Sequence, residues 1–304
     1  MKKNSTPEIK VGYLSTVYHT SLLLMGTGWL EERLNIKTGW RLFGAGPAVI
    51  QAFAKGEIDL GYTGLPPVII GIDKGIAIKC VGGGHVEGTV LIARGDFKSI
   101  EELREINAVF QQFRGKIIGT PQMGSIHDVI IRSCIKESSL EDEIAVKNYN
   151  WTDFVLDAIV DGEIHAAAGT PALAVAASRA CDAKIIIPAH KLWANNPSCG
   201  IIATRRLIEN SPDLLEEFLK LHEEASNFIR MHPARAAKIV SGMVELVDED
   251  FVLKAYEISP KYCAGISEEF IAATLAFVPV LYKLGYLKKL LTQEDIFDLR
   301  FIKK

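Results

Sequence analysis

Residues 48–59, AVIQAFAKGEID, return 106 residues later as FVLDAIVDGEIH at residues 154–165. The two copies share a valine, an alanine and a Gly-Glu-Ile triplet, and proline follows each within a few residues. Upstream, KVGYL at 10–14 precedes KIIGT at 116–120 by the same interval. This period is too long for a solenoid, whose repeats span about 20–50 residues. It indicates a duplicated α/β unit, and a cleft between two such lobes commonly holds a small ligand.

Length and composition agree with this interpretation. The 304 residues are enough for two hydrophobic cores, and 48% hydrophobic with 23% charged residues is typical of globular proteins. A net charge of -3 gives no electrostatic reason to expect nucleic acid or an anionic membrane as a partner. No apolar run reaches the roughly 18 residues that a membrane-spanning helix needs.

Cysteine usage and the N-terminus bear on compartment and metals. Five cysteines are scattered without a CxxC pair, which argues against a disulfide framework and against a zinc site. We expect no metal and no cofactor. Lys2 and Lys3 open the sequence, but no apolar segment of a signal peptide follows them. The expected location is therefore the cytoplasm if Met1 is the native start, and the periplasm or cell surface if a leader was removed.

Alternating strand and helix patterns predict the architecture. Strands are predicted at 9–14, 38–43, 58–62 and 76–82, and again at 116–120, 144–148, 164–168 and 184–188. Two further β-branched segments, 89–94 and 200–204, are predicted to cross between the halves. The fold class is therefore two-lobed α/β with two crossover strands and a ligand cleft. Lobe one is predicted to contain residues 1–91 and 200–304, including helices after residue 206, and lobe two residues 92–199.

The site is predicted at the ends of the strands. In open α/β sheets ligands bind beyond the carboxyl ends of the strands, where the following helices begin. Helices are predicted to open at Pro47, Pro66, Ser125 and Pro171, and helix N-termini attract anions through free N–H groups and a partial positive charge. We therefore expect a small anion as ligand. Loop hydroxyls can add hydrogen bonds, and these belong to Ser15, Thr16, Thr63, Ser125, Thr152 and Thr170.

Other loop residues admit two interpretations. His19, His85 and His127 lie in these loops, where a histidine either contacts a ligand or is a solvated or capping residue. Trp151 either forms a wall of the cleft or packs in the core. Glycine, serine and proline are also common in such loops for backbone reasons alone. Cys199 either acts as a nucleophile or is a small apolar residue at the start of a strand.

Several sequence motifs are incomplete or absent. Residues 44–46, Gly-Ala-Gly, lack the third glycine of a dinucleotide-binding fingerprint and are interpreted as a turn. The run of three glycines at 82–84 is interpreted as flexible, either a hinge or a place where a ligand approaches the backbone. The sequence contains no GxxxxGK[ST], HExxH or GxSxG motif.

Three segments together resemble a known family: GEIDLGYTG at 56–64, FRGKIIGTP at 113–121 and GSIHD at 124–128. They resemble the periplasmic solute-binding proteins of nitrate-, sulfonate- and taurine-type ABC importers, within a broader group that includes binding proteins for thiamine-pyrimidine precursors. The resemblance implies the type II binding-protein fold, hinge closure and an ABC permease as partner. With the loop residues selected above, the candidate ligand-binding set is Ser15, Thr16, His19, Gly46, Pro47, Thr63, Gly64, His85, Gly124, Ser125, His127, Trp151, Gly169 and Thr170.

The resulting hypothesis is an importer's binding protein that captures a small anion such as a sulfonate, nitrate or taurine. Closure is expected about residues 90–94 and 198–202, with no bond made or broken. The alternative is a cytoplasmic enzyme on the same fold, of the menaquinone or thiamine-pyrimidine pathway type. It would use a loop histidine, Asp59, Asp128 or Cys199 as acid, base or nucleophile. A cytoplasmic ligand sensor is a third possibility.

Overall fold

A computed structural model describes residues 7–259 and 261–301, which form two five-stranded sheets flanked by helices. The strands are β1 (Glu8–Leu14), β2 (Lys37–Phe43), β3 (Leu60–Thr63), β4 (Ile78–His85), β5 (Val90–Ala93), β6 (Lys116–Pro121), β7 (Ile144–Tyr149), β8 (Ala166–Gly169), β9 (Lys184–Ile187) and β10 (Cys199–Thr204).

The helices alternate with the strands and then continue alone to the end of the described chain. They are α1 (Thr20–Thr27), α2 (Trp29–Leu34), α3 (Gly46–Ala54), α4 (Leu65–Asp73), α5 (Ile100–Leu103), α6 (Ile106–Gln111), α7 (Ile126–Glu137), α8 (Thr152–Val160), α9 (Pro171–Cys181), α10 (Ala189–Leu192), α11 (Arg205–Asn210), α12 (Pro212–Met231), α13 (Pro233–Met243), α14 (Glu249–Ile258), α15 (Glu268–Lys283) and α16 (Gln293–Ile296), followed by a 3-10 turn (Leu299–Phe301).

The two sheets have the same topology. Sheet one has the order β2-β1-β3-β10-β4 and sheet two the order β7-β6-β8-β5-β9. In each sheet the fourth strand is the only antiparallel one among the described strands, and the chain reaches it by crossing from the other lobe. This exchange of strands confirms the predicted two-lobed α/β fold with two crossover strands.

The duplication predicted from the sequence is present in the structure, with one correction. Strands β3 and β8, helices α3 and α8, and helices α4 and α9 begin 106 residues apart. The first strands are offset by 107 instead, because Gly12 and Gly119 occupy the same position. A Cβ on Gly12 would lie 2.8 Å from Ile58 Cδ1, and a Cβ on Gly119 would collide with the equivalent Ile164. The sequence match of KVGYL with KIIGT was therefore one residue out of register.

Two connecting segments, 86–89 and 188–198, join the sheets. They are bonded to each other, since the Glu87 N–H donates to Asn196 O (2.9 Å) and the Gly88 N–H to Ser198 Oγ (3.0 Å). All of β5, from Val90, belongs to sheet two, so the predicted lobe boundary after residue 91 falls inside a strand. The lobe boundaries and the hinge remain predictions.

The glycine run at 82–84 is not a flexible segment, as the sequence suggested, but part of β4. A Cβ on Gly83 would lie 2.6 Å from Gly265 O, and one on Gly84 would lie 3.0 Å from Cys199 Sγ. Glycine is needed here because neighbouring backbone and side chains approach too closely for a side chain.

The C-terminal helices were expected to pack on lobe one, and most of them do. Helices α12 and α13 pack against α1, and α15 against α4. Helix α14, however, also packs against α9 of lobe two, and α15 reaches α7. The C-terminal helices therefore hold the two lobes together as well as covering lobe one. In the part of the chain that the structure describes, no helix combines the length and apolar character needed to cross a bilayer.

Candidate functional site

A cavity of about 30 Å³ lies where the two lobes meet, at the carboxyl ends of both sheets. The lobes are in contact on its rim. A Cβ on Gly44 of lobe one would lie 2.7 Å from the Trp151 ring of lobe two, and a Cβ on Gly64 would lie 3.1 Å from Ile126. The cavity is therefore a closed cleft of the kind that the sequence predicted.

Six helix N-termini converge on this cavity, because every strand that ends there leads into a helix. Residues at or next to the starts of α1, α3, α4, α7, α8 and α9 line it. Four of these helices have no side-chain cap, and their N-cap residues are His19, Ala45, Gly64 and Trp151. Such ends carry about half a positive charge each, so the site favours an anion.

Helix α4 contributes less than the sequence suggested. It begins at Leu65 rather than Pro66, and the Leu65 N–H donates to Pro197 O (3.1 Å). Pro66 and Pro67 have no N–H at all. The end of α4 therefore offers its dipole to the cavity, but not the N–H groups of its first three residues.

Helix α3 approaches the cavity through a glycine. Pro47 at its second position has no N–H, which leaves Gly46 as the donor at the first position. A Cβ on Gly46 would collide with Thr63 Oγ1 and lie 2.9 Å from Pro67 Cγ. Any larger residue here would displace the Thr63 hydroxyl.

All six hydroxyl residues predicted for the site line the cavity, together with Ser198 and Tyr18: Ser15, Thr16, Thr63, Ser125, Thr152 and Thr170. The Thr63 hydroxyl is fully buried and has no hydrogen-bond partner. The hydroxyl oxygens of Ser125 and Thr170 accept the N–H groups of Asp128 and Leu173. Because those bonds use only the oxygens, both hydroxyl hydrogens remain available to a ligand.

Two of the three predicted histidines line the cavity. His19 is 3% exposed, and neither of its ring nitrogens has a hydrogen-bond partner. Burial, reinforced by His85, His222 and His127, lowers the pKa of His19 well below its usual value. His127 pairs with Thr89 (Nδ1 to Oγ1, 2.9 Å), and burial lowers its pKa to about 4. Both rings are neutral at pH 7.

His85 does not line the cavity, contrary to the prediction. It is the last residue of β4, and its Nε2 lies 2.7 Å from Ser259 O and its Nδ1 3.2 Å from Ser198 Oγ. Burial lowers its pKa to about 4. The imidazole links the connecting segments to the C-terminal part of the chain.

Four other candidates also lie outside the lining. Pro47 is half-buried in the first turn of α3. Gly124 faces Ile70 and Tyr286 at the contact between the lobes, with a φ of +80° that suits glycine. Gly169 is buried under Leu173, and Trp151 lies on the rim against Gly44. The remaining nine candidates line the cavity.

Sequence reasoning missed several lining residues. Tyr18 and Ile126 are adjacent to residues that it selected, but both are apolar enough to be taken for core. Ser198 lies in a connecting segment that the sequence did not associate with the site. Pro67 and Pro121 also line the cavity, one within the first turn of α4 and the other at the end of β6. Only their position at strand and helix ends could have indicated them.

The cavity has no formal charge, since no aspartate, glutamate, lysine or arginine is among the described residues that line it. Asp128 is buried but does not line the cavity, and its carboxylate accepts hydrogen bonds from the Arg132 guanidinium (2.8 Å), the Asn148 amide (2.8 Å) and the Gly124 N–H (2.9 Å). Cys199 is buried, and burial raises its thiol pKa well above the usual value. Within the described ranges, no three His, Cys, Asp or Glu side chains are grouped to hold a metal ion.

Comparison with known proteins gives three likenesses. A Bacillus subtilis protein named for binding aliphatic sulfonates is 22% identical, over 98% of this chain and 87% of that protein. The alkanesulfonate-binding protein of Xanthomonas axonopodis pv. citri, solved with MOPS bound, superposes with a TM-score of 0.81 at 19% identity, covering 96% of this chain and 99% of that one.

The periplasmic nitrate-binding protein of Synechocystis PCC 6803 superposes with a TM-score of 0.78 at 10% identity, covering 98% of this chain and 87% of that one. At such identities the two solved structures establish the fold. The family model described as NMT1-like matches residues 2–244, most of the chain. The chain belongs to the NMT1-like family.

Proposed function

We propose that this protein is the solute-binding component of an ABC importer and that it captures a small anion by closing its two lobes. The observation that carries the proposal is the meeting of six helix N-termini, from both lobes, at a cavity lined by no formal charge. The buried and unpartnered polar atoms of His19 and Thr63 support it, because buried polar groups are normally hydrogen-bonded.

The chemistry of the lining favours a compact anion that accepts many hydrogen bonds. Hydroxyls, backbone N–H groups and helix dipoles can surround such an ion without a lysine or arginine. The closed cavity of 30 Å³ corresponds to about two or three water molecules, so it fits an inorganic anion or a small head group. Nitrate and the sulfonate groups of alkanesulfonates and of taurine belong to this class, and the sulfonate- and nitrate-binding names of the relatives agree with it.

We further propose that the protein binds its ligand without chemistry. The carboxylates and the thiol that an enzyme would use lie outside the cavity lining and are hydrogen-bonded or unreactive, which leaves only the histidines His19 and His127 among the described residues that line the cavity. Asp59 accepts the Lys10 N–H and the Arg206 guanidinium, and Asp128 lies in the network described above. The raised pKa of Cys199 keeps its thiol protonated and unreactive. The protein's partners would be a membrane permease and an ATPase. A role as the binding component of an importer requires the protein to be located outside the cytoplasmic membrane.

Thermal denaturation and isothermal titration calorimetry with nitrate, methanesulfonate and taurine test the proposal. A ligand at 100 times its Kd stabilises the folded state by about 2.7 kcal/mol, which raises the Tm by several degrees. The Gly46→Ala variant should lose at least about tenfold in affinity, because the new methyl displaces the Thr63 hydroxyl.

The matched control is Gly242→Ala, since a Cβ on Gly242 in helix α13 meets nothing within 4 Å. Its affinity should equal that of the wild type. The proposal would be wrong if none of the three compounds shifted the Tm at millimolar concentration, or if both glycine variants bound equally well.

A further inference from the structure

The imidazole of His19 is the most unusual group in the cavity. It is 3% exposed at the start of α1, and both of its ring nitrogens lack a partner. Leaving a buried polar atom unpaired costs about 1–3 kcal/mol, so two on one ring need a reason. The cavity that His19 lines provides one, because a ligand can reach the ring there.

Hydrogen-bond complementarity determines which protonation state of the His19 ring suits an anionic ligand. A neutral imidazole presents one N–H donor and one bare nitrogen that accepts. Nitrate and sulfonate groups only accept, so a neutral ring can bond to them through its N–H nitrogen alone, and the other nitrogen stays without a partner. A protonated ring donates from both nitrogens and also supplies the positive charge that the lining lacks.

The groups around His19 do not supply that charge in its place. The nearest rings are Tyr18 (centroids 4.7 Å apart) and His85 (6.1 Å), with His127 and His222 also near. Burial lowers the pKa values of His85, His127 and His222, so these rings are neutral at pH 7. Burial also raises the pKa values of the nearby phenols and thiol, which stay protonated and uncharged; these belong to Tyr18, Tyr62, Tyr262 and Cys199. Among charged groups, Glu87 is paired with Lys261 (2.7 Å) and Asp128 with Arg132.

On the basis of the proposed function, we infer that His19 takes up a proton when the anion binds, so that the protein captures the anion and one proton together. In the closed cleft without an anion, burial disfavours the charged form of the ring and holds it neutral. A bound anion within hydrogen-bond reach raises the pKa of His19 and stabilises the cation. By linkage, affinity then rises as pH falls, by up to tenfold per pH unit between the free and bound pKa values of His19.

Calorimetric titration of nitrate and methanesulfonate into the wild-type protein at pH 7, in bis-tris and in Tris, two buffers that carry no anionic group, tests this directly. The two buffers release protons with different enthalpies, so the difference in observed heat counts the protons taken up. We expect an uptake approaching one proton for each anion bound, and a tenfold change in Kd per pH unit over part of the range from pH 5.5 to 8.

Three variants assign the proton to a residue. His19→Gln, which keeps hydrogen-bonding capacity but cannot ionise, should bind more weakly than the wild type, with a Kd that no longer depends on pH, and should lose the proton uptake. His190→Gln, which replaces an exposed surface histidine, should show the same Kd and the same proton uptake as the wild type. Uptake lost in His127→Gln but kept in His19→Gln would overturn the assignment to His19.

The outcomes also separate this inference from the proposed function. Tight binding with the same heat in both buffers would refute proton uptake and leave anion capture intact. A failure of both anions to bind at every pH would remove the proposed function itself and the inference with it.

Discussion

We expect closure of the cleft to depend in part on one partly buried hydrogen bond between the lobes. The Tyr286 hydroxyl, which follows α15 in the C-terminal region, donates to Asp128 Oδ2 on α7 of lobe two (2.8 Å). Asp128 is fully buried. The partial burial of Tyr286 and the negative charge of Asp128 raise the pKa of the Tyr286 phenol. Opening the cleft would separate the two groups. Replacing Tyr286 by phenylalanine should therefore weaken the closed state while leaving each lobe intact.

The expected size follows from the kind of bond. A hydrogen bond to a charged group contributes about 1.5–3 kcal/mol, which corresponds to a factor of about 10 to 150. Asp128 keeps Arg132, Asn148 and the Gly124 N–H, so the remaining carboxylate is still satisfied and the lower end applies. Because the ligand binds the closed state, the apparent Kd rises as the closed fraction falls. We expect Tyr286→Phe to raise the Kd about tenfold.

Calorimetry with whichever of nitrate, methanesulfonate or taurine binds the wild type measures this change, and small-angle scattering measures the radius of gyration without ligand. Tyr282→Phe is the control, since Tyr282 lies one turn earlier on α15 and is 50% exposed. The reasoning is refuted if Tyr286→Phe binds as tightly as the wild type, or if both phenylalanine variants weaken binding equally.

Three further predictions concern the rest of the molecule. Arg179→Ala breaks exposed pairs with Asp248 and Asp250 across the lobes, so it should change the Kd by less than about fivefold, and the change should disappear in 1 M salt. The free energy of unfolding in urea should fall as the pH falls from 6.5 to 4, because His85 and His127 bind protons over this range in the unfolded chain but stay neutral in the folded protein, where each has a pKa of about 4. The expected loss is about 3 kcal/mol for each ring, and a urea midpoint that does not change with pH would contradict it. Gly119→Ala should cost about 1–3 kcal/mol of folding free energy, measured by urea denaturation, since the methyl collides with Ile164.

The sequence was sufficient to predict the architecture because the pattern of strands, helices and prolines repeats with one period. Loops at strand ends follow directly from that pattern, and six hydroxyl residues chosen there line the cavity, Thr63 and Ser125 among them. What failed depended on how far a strand extends. His85 was assigned to a loop because three glycines precede it, yet those glycines allow β4 to continue through a crowded part of sheet one. A glycine run has no sequence signal that distinguishes a flexible loop from a closely packed strand.

Other features of the site arise from packing between distant parts of the chain. Ser198 enters through a connecting segment, where its hydroxyl donates to His85 O and accepts the Gly88 N–H. The ring nitrogens of His19 lack partners because no polar group from elsewhere in the described chain comes within hydrogen-bond distance, and no local sequence pattern encodes such an absence. Proline usage was informative for helix α9, yet at α4 it concealed the loss of N–H donors, because the helix begins one residue earlier and Leu65 bonds to Pro197 O.

The helices that reach the cavity are capped differently in the two duplicated halves. In lobe two, α7 and α9 are capped by the side chains of Ser125 and Thr170. In lobe one, α1 and α3 have no side-chain cap, with His19 and Ala45 at the capping positions. Helix α4 also lacks a cap but offers no N–H from its first three residues, and in lobe two α8 is uncapped at Trp151. A capped helix has already satisfied one of its terminal N–H groups, whereas an uncapped one leaves that need to water or a ligand. Of the described cavity residues, the two buried polar side chains that lack a hydrogen-bond partner, His19 and Thr63, both belong to the half that contains sheet one, so we expect that half to hold the anion and the hydroxyls of the other half to donate to it on closure.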